Sequence, residues 1–93
     1  MDQREVSAMK KDYIELMVKN LPILRTAAGL TQAQLGKKLG MSRQTIVAIE
    51  NDKRPLPWSL YLAMVLVFIQ NDDSKRLLES FELYDSEFIK ELN

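Results

Sequence analysis

Two side chains that can read DNA bases stand together in the sequence, directly after Ser42. Arg43 can pair with guanine through two hydrogen bonds, and Gln44 can do the same with adenine. One helical turn later, Val47 and Ala48 offer only methyl contacts, for example to thymine. Because the first residues of a helix meet the base edges when that helix lies in the major groove, this pattern predicts base readout.

Two short capped helices are predicted to hold these side chains. Thr31 is a favourable N-cap and Gln34 follows at capping-box spacing, so a helix is expected from Gln32 to Leu39, ending at Gly40. Ser42 caps the next helix, over residues 43–50, with Thr45 at the box position.

The connection between the two helices is short enough to set their angle. Gly40, Met41 and Ser42 make a loop of the length that joins two helices steeply. Gly36 is expected where the helices cross, since a small residue permits close approach. Ile46 and Ile49 are expected to face inward, on the side of the second helix away from the base-reading residues.

Phosphate contacts are expected around this pair of helices. Gln32 begins the first of them, where free backbone N–H groups attract anions. Lys53 and Arg54 follow the second helix and could add flanking phosphate contacts. The pair Lys37–Lys38 could do the same, although a solvated helix face explains these two lysines equally well.

The charge of the chain is unevenly distributed although its net charge is zero. Residues 20–60 carry six basic side chains against two acidic ones, a net charge of +4. Residues 72–93 carry three against seven, a net charge of −4. A basic middle segment favours a polyanionic partner, whereas the alternative is that both segments are solvated surfaces.

Composition bounds the fold and excludes several function classes. With 93 residues, 46% of them hydrophobic, the chain makes one small domain around a single core. Cysteine and histidine are absent, so thiolate metal sites and Cys or His catalysis are excluded. We expect no enzymatic activity, no metal and no cofactor. The absence of cysteine fits the reducing cytoplasm, and the charged start does not resemble a signal peptide.

The remaining segments are also predicted to be helical. An amphipathic helix is expected over residues 1–19, and Asn20 followed by Pro22 indicates a new helix that ends at Gly29. The DNA-binding unit is therefore assigned to residues 20–70. Residues 71–93 are expected to form an acidic helical segment that is capped by Asp72 and Asp73 and packs on the core or on a dimer partner. The expected apolar stripe of this segment consists of Leu77, Leu78, Phe81, Tyr84, Phe88, Ile89 and Leu92.

The segment from Trp58 to Ile69 is apolar on nearly every face. It is too short to span a bilayer, which needs about 20 residues, so no membrane association is expected. A helix without a polar face is buried on both sides, either by the terminal helices, by a second subunit, or by both. Trp58 and Tyr61 are interpreted as core residues rather than as base-stacking ones.

Over residues of about 21 to 69 the chain resembles the Cro/C1-type, XRE-like helix-turn-helix family, which includes the lambda repressor. The resemblance rests on Leu24-Arg25, Gly29-Leu30-Thr31-Gln32, Leu35, Leu39-Gly40-Met41-Ser42, Ile46 and Ile49-Glu50-Asn51 in register. It implies an all-α compact bundle of about five or six helices, dimeric binding to short palindromic operators, and transcriptional regulation.

The resemblance also implies roles for individual residues. Gln32 is the phosphate or base contact ahead of the turn, Thr45 and Asn51 approach the DNA backbone, and Arg25 and Glu50 form an internal salt bridge. The full set of expected DNA-binding residues is Thr31, Gln32, Ser42, Arg43, Gln44, Thr45, Val47, Ala48, Asn51, Lys53 and Arg54.

Two positions depart from the family pattern. Asp52 stands where glycine is usual, so the turn after the second helix is expected to differ and to bring a negative charge near phosphate. Gly36 replaces the usual alanine.

The sequence thus predicts a cytoplasmic homodimer that binds double-stranded operator DNA, most simply as a repressor that occludes polymerase. Two alternatives stay open, both with a protein partner. In one, the chain is an antitoxin whose terminal helices cover another protein. In the other, it is an interaction module without a DNA role. The sequence leaves activation open as well.

Overall fold

The computed structural model describes residues 2–84, and these form five α-helices. The predicted fold class is therefore confirmed. In chain order the helices are α1 (Gln3–Ala27), α2 (Gln32–Leu39), α3 (Arg43–Glu50), α4 (Trp58–Phe68) and α5 (Asp72–Ser80). Over this part of the chain, no helix is both long enough and apolar enough to cross a membrane.

The first helix is continuous, so the predicted break at Asn20 is wrong. Pro22 lies inside α1, where its ring removes one backbone donor from the helical ladder. The helix continues because Met17, Leu21 and Leu24 lie on one face of it and are all fully buried. The Asn20 side chain does not cap a helix; its Nδ2 donates a hydrogen bond to the carbonyl oxygen of Leu16 at 2.9 Å.

The core lies where α4 meets α1, α2 and α5. Every helix contributes buried apolar side chains to it: Met17, Leu21, Leu24, Leu35, Ile46, Ile49, Tyr61, Met64, Val65, Phe68 and Leu78. Leu56, before α4, and Leu83, after α5, complete it. Burial of these side chains is the main favourable contribution to folding. α4 is not buried on every side, however, because Leu66 is 60% exposed.

Trp58 and Tyr61 belong to this core region, as the sequence predicts. Their rings stack at 4.7 Å between centroids with an interplanar angle of 7°, and Tyr61 is fully buried. The Nζ atom of Lys10 lies 5.5 Å from the centroid of the Trp58 ring, a cation–π contact that links α1 to α4.

Four helices end in the same hydrogen-bonded motif. After α1, α2, α3 and α5, one residue adopts a left-handed conformation and the chain closes onto the last helical turn by paired backbone hydrogen bonds. The left-handed residues are Gly29 and Gly40 after α1 and α2, and Asp52 and Glu82 after α3 and α5, with φ angles from 57° to 72°.

The start of α5 differs from its prediction. Asn71 is the N-cap, and its Oδ1 accepts from the backbone N–H groups of Asp73 and Ser74, so the expectation that Asp72 and Asp73 cap this helix is wrong. The two aspartates occupy the first turn instead, where negative charge is favourable. The predicted apolar stripe beyond Tyr84 lies outside the described residues.

Candidate nucleic-acid interface

The turn between α2 and α3 is built from two capped helix ends. Thr31 and Gln34 form the predicted capping box at the start of α2, with hydrogen bonds of 3.1 and 2.9 Å. Gly40 ends α2 in the left-handed conformation, and Ser42 caps α3. The predicted bounds of both helices are confirmed.

Gly36 allows the turn to pack against α2. A Cβ atom on Gly36 would lie 2.6 Å from the carbonyl oxygen of Met41 and 3.3 Å from the carbonyl group of Ser42. The expectation that this position needs a small residue is confirmed, but the atoms that require it belong to the backbone of the turn. The close approach fixes where α3 begins relative to α2.

The expected base-reading side chains share one face of α3. Arg43 and Gln44 are exposed, and Val47 and Ala48 follow one turn later, half-buried. On a helix, adjacent residues and residues four positions apart lie close together, so these four side chains form one surface. The exposed Asn51 follows about two turns after Arg43. The opposite face carries Ile46 and Ile49, which are fully buried, as predicted.

Ser42 and Thr45 are occupied with each other at the start of α3. The Ser42 Oγ accepts from the backbone N–H of Thr45 at 3.2 Å, and the two hydroxyl oxygens lie 2.9 Å apart. Both hydroxyls therefore stabilise the helix that carries Arg43 and Gln44. A hydroxyl has one donor and two acceptor positions, so this pairing leaves capacity for further hydrogen bonds.

A hydrogen-bonded network joins the start of α2 to the end of α3. Glu50 Oε1 accepts from Arg25 Nε at 2.7 Å, the salt bridge that the family resemblance implies. Glu50 Oε2 accepts from Gln32 Nε2 at 2.9 Å. Arg25 also donates from a guanidinium nitrogen to the carbonyl oxygen of Leu30 at 3.0 Å, which holds the chain just before Thr31.

Gln32 is thus hydrogen-bonded within the protein itself, to Glu50, a contact that the sequence does not predict. Eighteen residues separate Gln32 from Glu50, and no local pattern marks such a pair. The only sequence signal is an acidic residue at the end of one helix and an amide at the start of another, which becomes informative only once the helices are packed together.

A family model described as a helix-turn-helix matches residues 23–57. Residues 23–57 form a helix-turn-helix domain of the Cro/C1 type. The match includes α2, the turn and α3, as well as the end of α1 and the loop that leads to α4. All of the expected DNA-binding residues lie within the helix-turn-helix domain.

One curated relative is similar to the chain over part of its length. It is an uncharacterized HTH-type transcriptional regulator from Methanocaldococcus jannaschii, 54% identical over 37 residues. These residues are 40% of this chain and 56% of the relative, so the chain covers little more than half of that protein. No solved structure matches the chain.

The helix-turn-helix domain ends in an exposed, charged loop. Lys53 and Arg54 are exposed directly after Asp52. Asp52 itself has φ of 57°, the left-handed conformation that glycine adopts most readily. The expectation that this turn would differ is therefore wrong, because aspartate tolerates the conformation and the same closing hydrogen bonds form, Asp52 N to Ile49 O and Lys53 N to Ala48 O.

Proposed function

We propose that this protein binds double-stranded DNA by placing α3 in the major groove and thereby regulates transcription. The observation that carries the proposal is that Arg43 and Gln44 are exposed together on the first turn of α3. The Ser42 cap and the buried opposite face of α3 fix the position of this turn. Side chains at the start of a recognition helix are those that reach base edges. The similarity to a protein named as a transcriptional regulator supports the same function.

The proposed contacts divide into base readout and phosphate binding. Arg43 pairs with guanine, Gln44 with adenine, and Val47 and Ala48 contact thymine methyl groups. The other expected residues lie around this face and orient the domain on the DNA backbone: Thr31, Gln32, Ser42, Thr45, Asn51, Lys53 and Arg54. The net charge of +4 over residues 20–60 supports a salt-dependent contribution from phosphates.

We further propose that the protein works as a homodimer. One domain reads only a few base pairs, and two half-sites about 34 Å apart multiply affinity and specificity. Leu66 supports an interface on α4, since it is 60% exposed and follows the half-buried Leu62 and Ala63 by four and three residues on one face of this largely apolar helix. In this arrangement residues 20–70 bind DNA, while the described residues on either side of them, 2–19 and 71–84, pack on the core or on the partner.

Light scattering after size-exclusion chromatography tests the dimer. Leu66→Glu is expected to shift the protein from dimer to monomer, because a carboxylate in an apolar interface is strongly unfavourable. The matched control is Ile23→Glu, which places the same charge at another apolar side chain, 53% exposed on α1. A wild type that is monomeric at micromolar concentration contradicts the proposal. Dissociation by Ile23→Glu alone would move the interface to α1.

Repression is the proposed regulatory outcome, because a small DNA-bound dimer excludes polymerase from an overlapping site without needing any further contact. Such a repressor would act in the cytoplasm. A reporter gene whose promoter carries the operator sequence distinguishes repression from activation. Lower reporter output in the presence of the protein supports repression, and higher output supports activation.

Selection of bound sequences from a random duplex pool, with the full chain as bait, tests DNA binding itself. We expect a palindrome whose half-sites are about one helical turn apart, and an affinity that falls steeply with salt. Recovery of no sequence, together with no binding at low salt, would reject DNA binding. The chain would then be a protein-interaction module, and a toxin or another protein would be sought as its partner.

A further inference from the structure

Glu50 uses both oxygens of one carboxylate to connect three helices. Oε1 accepts from Arg25 of α1, and Oε2 accepts from Gln32 of α2, while Glu50 itself ends α3. The Glu50 side chain is only 5% exposed and that of Arg25 is 17% exposed. The contact with Gln32 is therefore part of a largely buried network rather than a transient surface contact.

The chemistry of this network determines how the Gln32 amide is turned. An ionised carboxylate has no proton to donate, so the amide atom that faces Glu50 is the nitrogen, and the amide oxygen Oε1 points elsewhere. A primary amide nitrogen carries two hydrogens, of which Glu50 accepts one. One N–H and Oε1 of Gln32 are left for other partners. Without Glu50, the amide could rotate and present either end.

We propose that Glu50 is a positioning residue for DNA binding, which fixes the orientation of the Gln32 amide at the start of α2 before DNA arrives. This inference rests on the proposed DNA-binding function. Preorganisation lowers the entropy that Gln32 loses on binding, and it selects the N–H end of the amide as the one shared between Glu50 and the DNA. It also ties the position of Gln32 to the C-terminal end of the helix that reads the bases.

The variant Glu50→Gln reverses the amide without a large change of shape. Arg25 can only donate, so the new amide must place its oxygen on Arg25 and its NH2 group on Gln32. Gln32 then has to turn its own oxygen towards position 50 to accept. An oxygen, which cannot donate to a phosphate, thus replaces the N–H group that Glu50 and the DNA are proposed to share. Loss of one negative charge near DNA by itself strengthens phosphate binding. Weaker DNA binding by Glu50→Gln would therefore not be an effect of charge alone.

A double-mutant cycle on the selected duplex tests the proposal. We expect Glu50→Gln and Gln32→Ala each to weaken binding about tenfold, the effect of one lost hydrogen bond. In the Gln32→Ala background, Glu50→Gln should weaken binding less than twofold, because its effect passes through Gln32. Circular dichroism must show that each variant is folded at the assay temperature. Independent, additive effects would overturn the inference.

Nuclear magnetic resonance of the free protein tests the contact without DNA. The side-chain NH2 signals of Gln32, identified by their loss in Gln32→Ala, should be shifted downfield and exchange more slowly than those of the exposed Gln44 and Gln70. Signals like those of the exposed glutamines would overturn the proposal, even if Glu50→Gln does not fold. A wild type with shifted signals but no DNA binding would instead reject the proposed function.

Discussion

The backbones of Gly36 and Met41 are in close contact across the turn between α2 and α3. The backbone N–H of Met41 donates to the carbonyl oxygen of Gly36 at 2.7 Å. A Cβ atom on Gly36 would lie 2.6 Å from the carbonyl oxygen of Met41. The hydrogen bond therefore draws the turn into the space that a side chain would need, and the angle at which α3 is presented depends on glycine at this position.

Gly36→Ala is expected to destabilise the fold even though alanine favours helices. The better helix propensity contributes about 1 kcal/mol, but the backbone of the turn has to move by several tenths of an ångström, and such overpacking costs about 1–3 kcal/mol. We expect a lower free energy of unfolding in urea and weaker DNA binding. The control is the exposed Lys37→Ala, for which the change in stability should stay within about 0.5 kcal/mol. Unchanged stability in Gly36→Ala would contradict the packing argument.

Asp52→Asn should strengthen DNA binding severalfold at low salt. Asparagine tolerates the left-handed conformation as aspartate does, so the turn is kept while a negative charge beside Lys53 is removed. Glu82→Asn is a matched control, since it changes net charge equally at the same kind of helix end, after α5. If both variants bind DNA equally more tightly, the effect is one of overall charge and Asp52 does not lie near the phosphates.

Arg43→Ala and Lys53→Ala should both weaken DNA binding, but in different ways. Loss of Arg43 removes the proposed base contact, so binding to the selected site should weaken by about 1–3 kcal/mol and preference at one base pair should be lost. Loss of Lys53 should weaken binding to all sequences alike and reduce the salt slope by about one. Both side chains are exposed, so the melting temperature should not change. A fall in stability equal to the fall in affinity would contradict the surface assignment.

Gln44→Ala tests the neighbouring base-reading position. Its expected effect is also about 1–3 kcal/mol in specific binding, with relaxed preference at a base pair other than the one affected by Arg43→Ala. Repetition of the duplex selection with each variant measures these preferences directly. Relaxation at the same base pair in both variants would argue that the two side chains do not read separate bases.

The local parts of this fold could be predicted from the sequence, and the parts that depend on packing could not. The caps Thr31 and Ser42 act through residues three positions away, so the bounds of α2 and α3 follow from local chemistry. Asn20 and Pro22 give an equally local signal, but the buried stripe along α1 overrides it. The contact between Gln32 and Glu50 depends on how three helices meet, and no periodicity encodes it.

Tyr61→Phe should remove a long-range hydrogen bond while keeping the aromatic packing. The Tyr61 hydroxyl donates to the carbonyl oxygen of Leu83, 22 residues later, at 2.8 Å. Leu83 is fully buried, so the variant leaves a buried carbonyl without this donor and should lower the free energy of unfolding by about 1–3 kcal/mol. Urea unfolding at neutral pH measures the loss, and hydrogen exchange should show that it is largest at the end of α5.

The advantage of the wild type over Tyr61→Phe should also depend on pH. Burial, with a smaller contribution from Tyr13, raises the pKa of the Tyr61 phenol above its ordinary value. In the unfolded chain that phenol ionises near pH 10, while the folded protein still keeps the proton. The stability difference between the two proteins should therefore be complete below about pH 10 and decline above it. A difference that stays constant through pH 11 would mean that Tyr61 ionises as easily in the fold as in the unfolded chain.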